Sequence, residues 1–232
     1  MLKNYMLAIW RYASRNKVFT GINLLGLVIG ISSSLLIFQF VSYELSFDRF
    51  WPKYKNVYRV QLKRYDKGEL STHWASGCAG VGPDMKSEFE EVDLYARLKK
   101  SNAVLSHGDT FFKEDGVFYC SADFFRVFGY PLLMGDDSLA LRGPNKIVLS
   151  QTLARKYFGN ENPLGKTIYN NANVAYEVTG VFADLPENTH LKIDALLSFG
   201  TFAKLTGRAN EEALNEWQWD GFTTYVSLKE NK

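Results

Sequence analysis

Residues Val18–Tyr43, VFTGINLLGLVIGISSSLLIFQFVSY, form a run of 26 residues without Asp, Glu, Lys, Arg or His. As an α-helix this run extends roughly 39 Å at ~1.5 Å per residue, against ~30 Å for the hydrocarbon layer of a bilayer. A tilted transmembrane helix over residues 17–44, its ends in the headgroups, fits that length. A buried core helix and a cleaved signal peptide are the competing readings. Soluble helices are rarely apolar over this length. A signal peptide has an apolar region of ~7–15 residues and a small-x-small cleavage site, and the following VSYELSF offers none.

Charge around the helix predicts its orientation. Lys3, Arg11, Arg15 and Lys17 precede it without a single acid, and Glu44 and Asp48 follow it. The excess of cations on one flank predicts a cytoplasmic N-terminus and places the chain after about residue 44 outside. Residues 1–16 are amphipathic at helical spacing: Leu2, Tyr5, Met6, Ile9, Trp10 and Ala13 share one stripe, with Asn4, Arg11 and Arg15 opposite. A helix lying along the cytoplasmic leaflet and a helix bound to a partner protein both fit this pattern. The chain carries +2 overall and +4 in residues 1–17, so the remainder carries −2. No basic surface is left for nucleic acid. Within the apolar run, Gly26, Gly30 and Ser34 recur every four residues. They form one small-residue face on which a second helix can pack closely, a pattern that also arises often by chance.

Residues 44–232 mix helix and strand signals, with no low-complexity stretch or flexible linker. YRVQLK (58–63) alternates as a strand, a short helix is expected over about 83–89, and VDLYARLK alternates as the next strand. AVLSHGDTFF predicts a hairpin turning at Gly108-Asp109, followed by a strand in KEDGVFY. Two short helices have legible ends: one capped by Ser121 and stopped at Gly129, one capped by Ser150 and stopped at Gly159. TIYNN, VAYEVTGVFADL, LKIDALLSF and TTYVSLK read as further strands. The fold class is therefore α+β behind a single membrane helix.

Chemistry-bearing constellations are sparse. His73, His107 and His190 lack zinc-site spacing, and there is no nucleophile elbow. No catalytic, cofactor-binding or metal-ligating residue is expected. Cys78 and Cys120 either form a disulfide or remain two partly buried thiols, and sequence leaves both open. GNENPLGKT (159–167) ends like a phosphate-binding loop. The true motif has Gly, four residues, then Gly-Lys-Ser/Thr, and opens a helix after a strand. Here five residues separate the glycines, Pro163 lacks an N–H, and the segment follows a helix and opens a strand. It is expected to be a turn.

NKVFTGINLLGLVIGISSSLLI, SFDRFWPKYKNVYRV, SADFFRVFGYPLL, and KIVLSQTLARKYFGNENPLGKTI with YEVTGVFADLPENTHL occur in an order and spacing that cover nearly the whole chain. Together they resemble the N-terminal part of MacB-like ABC-transporter permeases of the FtsX-like type, with wording most similar to the large permeases of Bacteroidetes-type bacteria. The resemblance implies a bacterial inner-membrane protein whose periplasmic core domain spans 45–232. It implies a porter-like α/β part at about 45–100 and 217–232, with a mostly-β subdomain inserted at about 101–216. It also implies a homodimer or pseudo-dimer of permease halves and a cytoplasmic ABC ATPase subunit, and leaves room for a periplasmic adaptor beside membrane lipid. A full permease has further membrane helices, so the chain reads as a fragment. The expected function is the permease subunit of an ABC-type export or mechanotransmission system. The alternatives are a single-span anchor displaying a periplasmic binding or sensor module, and a membrane-anchored enzyme for which no motif exists. Macrolides, peptides, lipids and lipoproteins all fit as substrate.

Overall fold

The computed structural model describes residues 2–229, so Met1 and residues 230–232 lie outside the described residues, as does the side chain of Leu2 from the expected stripe. The chain divides into two compact units, 1–47 and 48–232. In the first, α1 (Leu2–Arg15) is followed by α2 (Lys17–Leu45). Tyr5, Met6, Ile9 and Trp10 are exposed on α1. The 29-residue α2 has no buried residue and is long and apolar enough to cross a membrane.

The second unit opens with β1 (Val57–Arg59), β2 (Leu62–Asp66), β3 (Glu69–Trp74) and β4 (Gly77–Cys78), then α3 (Val81–Glu88). A long hairpin of β5 (Val92–His107) and β6 (Thr110–Cys120) turns at Gly108-Asp109. There follow α4 (Phe124–Phe128), β7 (Leu132–Gly135), β8 (Lys146–Ser150), α5 (Gln151–Phe158), β9 (Thr167–Asn170), β10 (Ala175–Phe182), β11 (Ala195–Ser198), α6 (Phe199–Leu205) and β12 (Asp220–Leu228). The fold is mixed α/β. The main sheet runs β1-β12-β5-β6-β11-β8-β10-β7, and β9 pairs with both β10 and β5. Strands β5, β6, β11, β8, β10 and β9 therefore close into a ring, while β12 and β1 extend the sheet from the N-terminal half of β5.

Side-chain alternation explains why the ring has an inside. Ala103 and Leu105 of β5, Val117 and Tyr119 of β6, and Ile147 and Leu149 of β8 all enter one core. Ile168, Tyr176, Val178, Ala195 and Leu197 join them from β9, β10 and β11. Leu153, Ala154, Tyr157 and Phe158 of α5 pack into the same core. The opposite faces of β8 and β11, at Val148 and Leu196, belong to a second core with Leu94, Ala96 and Leu98 of β5 and the phenylalanines of α4. A strand covered on both sides reads as a continuous apolar run, as in IVL and ALL.

Several elements match their sequence signals. Ser150 caps α5 by accepting from the Leu153 N–H at 3.2 Å, and Gly159 ends it at φ +60°. Gly129 ends α4 at φ +68°. Four expectations are corrected. YRVQLK is not one strand: β1 pairs with β12, and β2 pairs with β3 in a separate two-stranded sheet. Ser121 does not cap α4, because its hydroxyl oxygen accepts from the backbone N–H and Nε of Arg97, at 3.1 and 3.3 Å. In LKIDALLSF only Ala195–Ser198 is strand, and Phe199 begins the buried helix α6, whose lack of a polar face hid it. Residues 110–120 form a single strand. A bulge sets Asp115 and Gly116 opposite one residue of β5, since Ser101 pairs with Val117 and Ala103 with Glu114. The bulge switches which residues face inward, and that switch disguised the strand's continuity.

Arg97, only 2 % exposed, ties the loop after α6 to β5. Its Nη1 donates to the Ala79 carbonyl at 3.1 Å and to Asn215 Oδ1 at 2.7 Å, and its guanidinium lies 4.3 Å from the Phe199 ring centroid. Both cysteines are buried free thiols. Burial, followed by the adjacent Asp220 carboxylate, pushes the Cys78 thiol up to about 11, which leaves it protonated and unreactive at neutral pH.

Gly116 is required by close approach. A Cβ there would lie 2.2 Å from Asp194 Oδ2 and 2.9 Å from the Asp194 backbone nitrogen, where that nitrogen donates to the Gly116 carbonyl at 2.7 Å. Gly116→Ala should destabilise the domain by about 1–3 kcal/mol, the usual range for overpacking, measured as a lower urea midpoint. An unchanged midpoint would show that Asp194 yields freely.

Candidate functional site

Polar side chains converge where the second unit begins, in two segments far apart in sequence: SFDRFWPKYKNVYRV (46–60) and LPENTHL (185–191). Asp48, the first residue of that unit, stands three residues beyond the end of α2 in sequence. Its backbone is left-handed, φ +58°, a conformation that aspartate tolerates better than most residues. The Asp48 N–H donates to the Asn188 carbonyl at 3.0 Å. Its Oδ1 accepts from the Thr189 hydroxyl at 2.6 Å and from the His190 N–H at 3.3 Å. His190 Nδ1 lies 2.6 Å from Oδ2.

The chain of hydrogen bonds continues through the imidazole. An ionised carboxylate only accepts, so Nδ1 carries the proton facing Asp48, and in the neutral ring Nε2 accepts from the Tyr225 hydroxyl. Arg59, the cross-strand partner of Tyr225, places its cation near that hydroxyl and partly opposes the rise of the phenol's pKa. Burial raises the Asp48 pKa, but the hydrogen bonds from Thr189 and His190 and the His190 charge outweigh it, leaving the carboxyl below its usual 3.8. Tyr225 is 3 % exposed, and burial is the largest influence pushing its phenol up. The phenol therefore stays protonated. The arrangement holds strands and loop together and offers no nucleophile.

Packing reinforces the same junction. Trp51 is 2 % exposed and stacks among Phe50, Phe124, Phe128 and Tyr130. The Lys53 N–H donates to the Phe128 carbonyl at 3.2 Å and its Nζ to the Arg126 carbonyl at 3.1 Å, so a cation sits on the C-terminal end of α4.

The sequence-derived candidates lie elsewhere. Gly26, Gly30 and Ser34 line a shallow groove along α2 with Leu27, Ile31 and Phe38, and nothing lies within 4 Å of a Cβ built on either glycine. The Gly159–Thr167 segment is a turn that closes onto β10. The Gly165 N–H donates to the Val178 carbonyl at 2.8 Å, the Lys166 N–H to Pro163 at 3.1 Å, and the Leu164 N–H to Asn162 Oδ1 at 3.0 Å. The Lys166 ammonium pairs with Glu161. No cluster of three or more His, Cys, Asp or Glu suited to a metal occurs among the described residues. The Asp48–His190 pairing escaped sequence reading because 142 residues separate the partners. The one available signal was that both segments carry the family resemblance.

Residues 20–232 match the model of the MacB-like periplasmic core domain, and the chain belongs to that family. A domain of a putative permease protein from Porphyromonas gingivalis is similar at 25 % identity and a TM-score of 0.62, covering 78 % of this chain and 79 % of that one. The periplasmic region of MacB from Actinobacillus actinomycetemcomitans shares the fold at 16 % identity and a TM-score of 0.55, covering 76 % of each chain. The extracellular domain of the noncanonic ABC-type transporter YknZ from Gram-positive bacteria does so at 17 % and 0.53, covering 75 % of this chain and 84 % of that one. No curated protein matches the chain.

Asp48→Ala should destabilise the chain by about 2–3 kcal/mol, combining the buried Thr189 hydroxyl left without its acceptor with ~1 kcal/mol or more of left-handed strain. Asp48→Gly relieves the strain alone and should recover about 1 kcal/mol of that loss. The carboxylate's contribution is fully present above its unfolded pKa and is lost as pH falls through its lower folded pKa, below 3.8. Urea unfolding at pH 3 and pH 7 should therefore show a smaller acid loss in Asp48→Asn than in the unsubstituted chain. Equal losses would remove Asp48 from the acid response.

Proposed function

We propose that the chain is the permease subunit of an ABC-type export or mechanotransmission system, in which the domain after residue 48 couples ATP-driven motion to a substrate or partner outside the membrane. The observation that carries this reading is the continuity of the family match, which begins inside α2 and runs through the whole domain. The Asp48 clamp supports it. The chain joins the domain's hydrogen bonding three residues beyond the helix in sequence.

In this reading the N-terminus is cytoplasmic and residues after about 44 are periplasmic, as the cations before α2 favour. The exposed Tyr5, Met6, Ile9 and Trp10 lie against the leaflet, close to a separate cytoplasmic ATPase. Gly26, Gly30 and Ser34 form the face through which α2 packs against a second permease half. In the same reading, a membrane-proximal α/β part, about 45–100 with 217–232, carries an inserted part, about 101–216, and the register shift between Ser101 and Ala103 falls near that division.

Two measurements test the proposal. In a reconstituted transporter, deleting residues 2–15 should abolish transport per ATP hydrolysed while hydrolysis continues. Full coupling in the deletion would remove α1 from the mechanism. The chain purified without its partner should neither bind nor hydrolyse ATP, because the donors of the Gly165–Lys166 turn are already committed. Micromolar nucleotide binding would contradict that assignment.

A further inference from the structure

Residues 206–219 join α6 to β12 as a strap whose regular structure is a single 3₁₀ turn at Glu212–Leu214. Beyond the turns that leave α6, one backbone bond among the described residues ties the strap to the rest of the domain, from the Gly80 N–H to the Glu216 carbonyl at 3.3 Å. Its other holds are side chains. Leu214, 1 % exposed, enters the ring core. The Trp217 indole N–H donates to Asp84 Oδ2 at 2.7 Å. Asn215 Oδ1 accepts from Arg97 Nη1 at 2.7 Å, and Glu211 Oε2 lies 3.8 Å from Arg97 Nη2.

Closing the strap takes two charges out of water, and their separation is too long for the close pairing that offsets such a loss. Burial is the largest influence on both groups, holding the Glu211 carboxyl above its usual range and the Arg97 guanidinium below its own. Lifting the strap rehydrates both. Arg97 then keeps Ser121 Oγ and the Ala79 carbonyl, which belong to other segments. A segment held by a few side chains, with desolvation relieved on release, opens at a lower free energy than strands held by backbone ladders.

We propose that residues 206–219 are a strap that opens as a unit while the sheet stays folded, with the Asn215–Arg97 bond as its latch. Opening uncovers the Arg97 guanidinium and the apolar place that Leu214 fills. It also uncovers Cys78, which is 2 % exposed and whose Sγ lies 2.9 Å from the Trp217 carbonyl oxygen. Cys120, 0 % exposed, lies in the second core with α4, so only unfolding of the sheet reaches it. The latch lies wholly within the second unit and does not depend on the transport reading.

The full chain in detergent micelles, treated with N-ethylmaleimide at increasing urea below the unfolding transition, provides the test, with each cysteine followed by peptide mass spectrometry. Without urea, Cys78 should label at least tenfold faster than Cys120. Its rate should rise only shallowly with urea, because opening the strap exposes little surface, whereas Cys120 should follow the steep slope of global unfolding. Asn215→Ala removes the acceptor and should speed Cys78 labelling about tenfold. Asn215→Asp sets a carboxylate against Arg97 Nη1 and should slow it severalfold, which keeps the latch testable if the alanine variant unfolds. Equal rates and equal urea slopes at the two cysteines would overturn the strap. A Cys78 rate that neither substitution changes would remove Asn215 as its latch.

Discussion

Strand β5 is the constraint on which the rest of the second unit depends. Along one side it is paired with β6, and along the other it pairs first with β12 and then with β9. A strand this long cannot serve an open sheet and a closed ring without a local change of direction. The bulge on β6 supplies it, and Asp115 and Gly116 are the two residues set against one. Their insertion brings Phe112 and Glu114 to the same side as Val117 and Tyr119. Glu114 consequently becomes a buried carboxylate, bonded to the Tyr157 hydroxyl at 2.9 Å and to Lys156 at 2.7 Å. Both partners come from α5, so one inserted residue also fixes where that helix lies against the ring. Close approach of Asp194 to Gly116 then aligns β11 beside β6, with Ala195 paired to Val117.

What sequence could show follows from the range of the forces involved. The apolar run of α2, the Ser150 cap, the helix stops at Gly129 and Gly159 and the turn at Gly108-Asp109 are set by residues within a few positions of one another. Ser121 illustrates the limit. Its spacing suits a helix cap, yet a buried arginine 24 residues away takes its hydroxyl, because a desolvated guanidinium needs acceptors more urgently than a five-residue helix needs a cap. Strand β8, helix α6 and the closure of β9 onto β5 have no local signature, since their faces are decided by elements distant in sequence. The Asp48 cluster was legible only as two separate stretches of family wording. Their meeting required the fold.

That cluster shows how backbone and side-chain energetics can reinforce each other. A left-handed residue is unfavourable for most side chains, and a chain leaving a helix has many easier routes. Aspartate at position 48 tolerates the turn, and the turn in turn aims its carboxylate at Thr189 and His190. The cost of the conformation is offset by bonds that only this conformation allows. Lys53 and Trp51 then carry the anchoring onward to α4, so the segment between the apolar helix and the first strand is held along much of its length.

The turn at Gly159–Thr167 makes the complementary point about motifs. A phosphate loop works because its backbone N–H groups are held open, converging on an anion at a helix start. Here the N–H groups of Leu164, Gly165 and Lys166 are all bonded within the turn or to β10, and the lysine charge is matched by Glu161. Gly165, at φ +76°, is glycine because the backbone must reverse there. The same residue types serve both purposes, since glycine gives left-handed backbone and Asn-Pro starts a turn whether or not a nucleotide is present. The donor commitments tell the two apart. In this chain they deliver β9 to the position from which it closes the ring on β5.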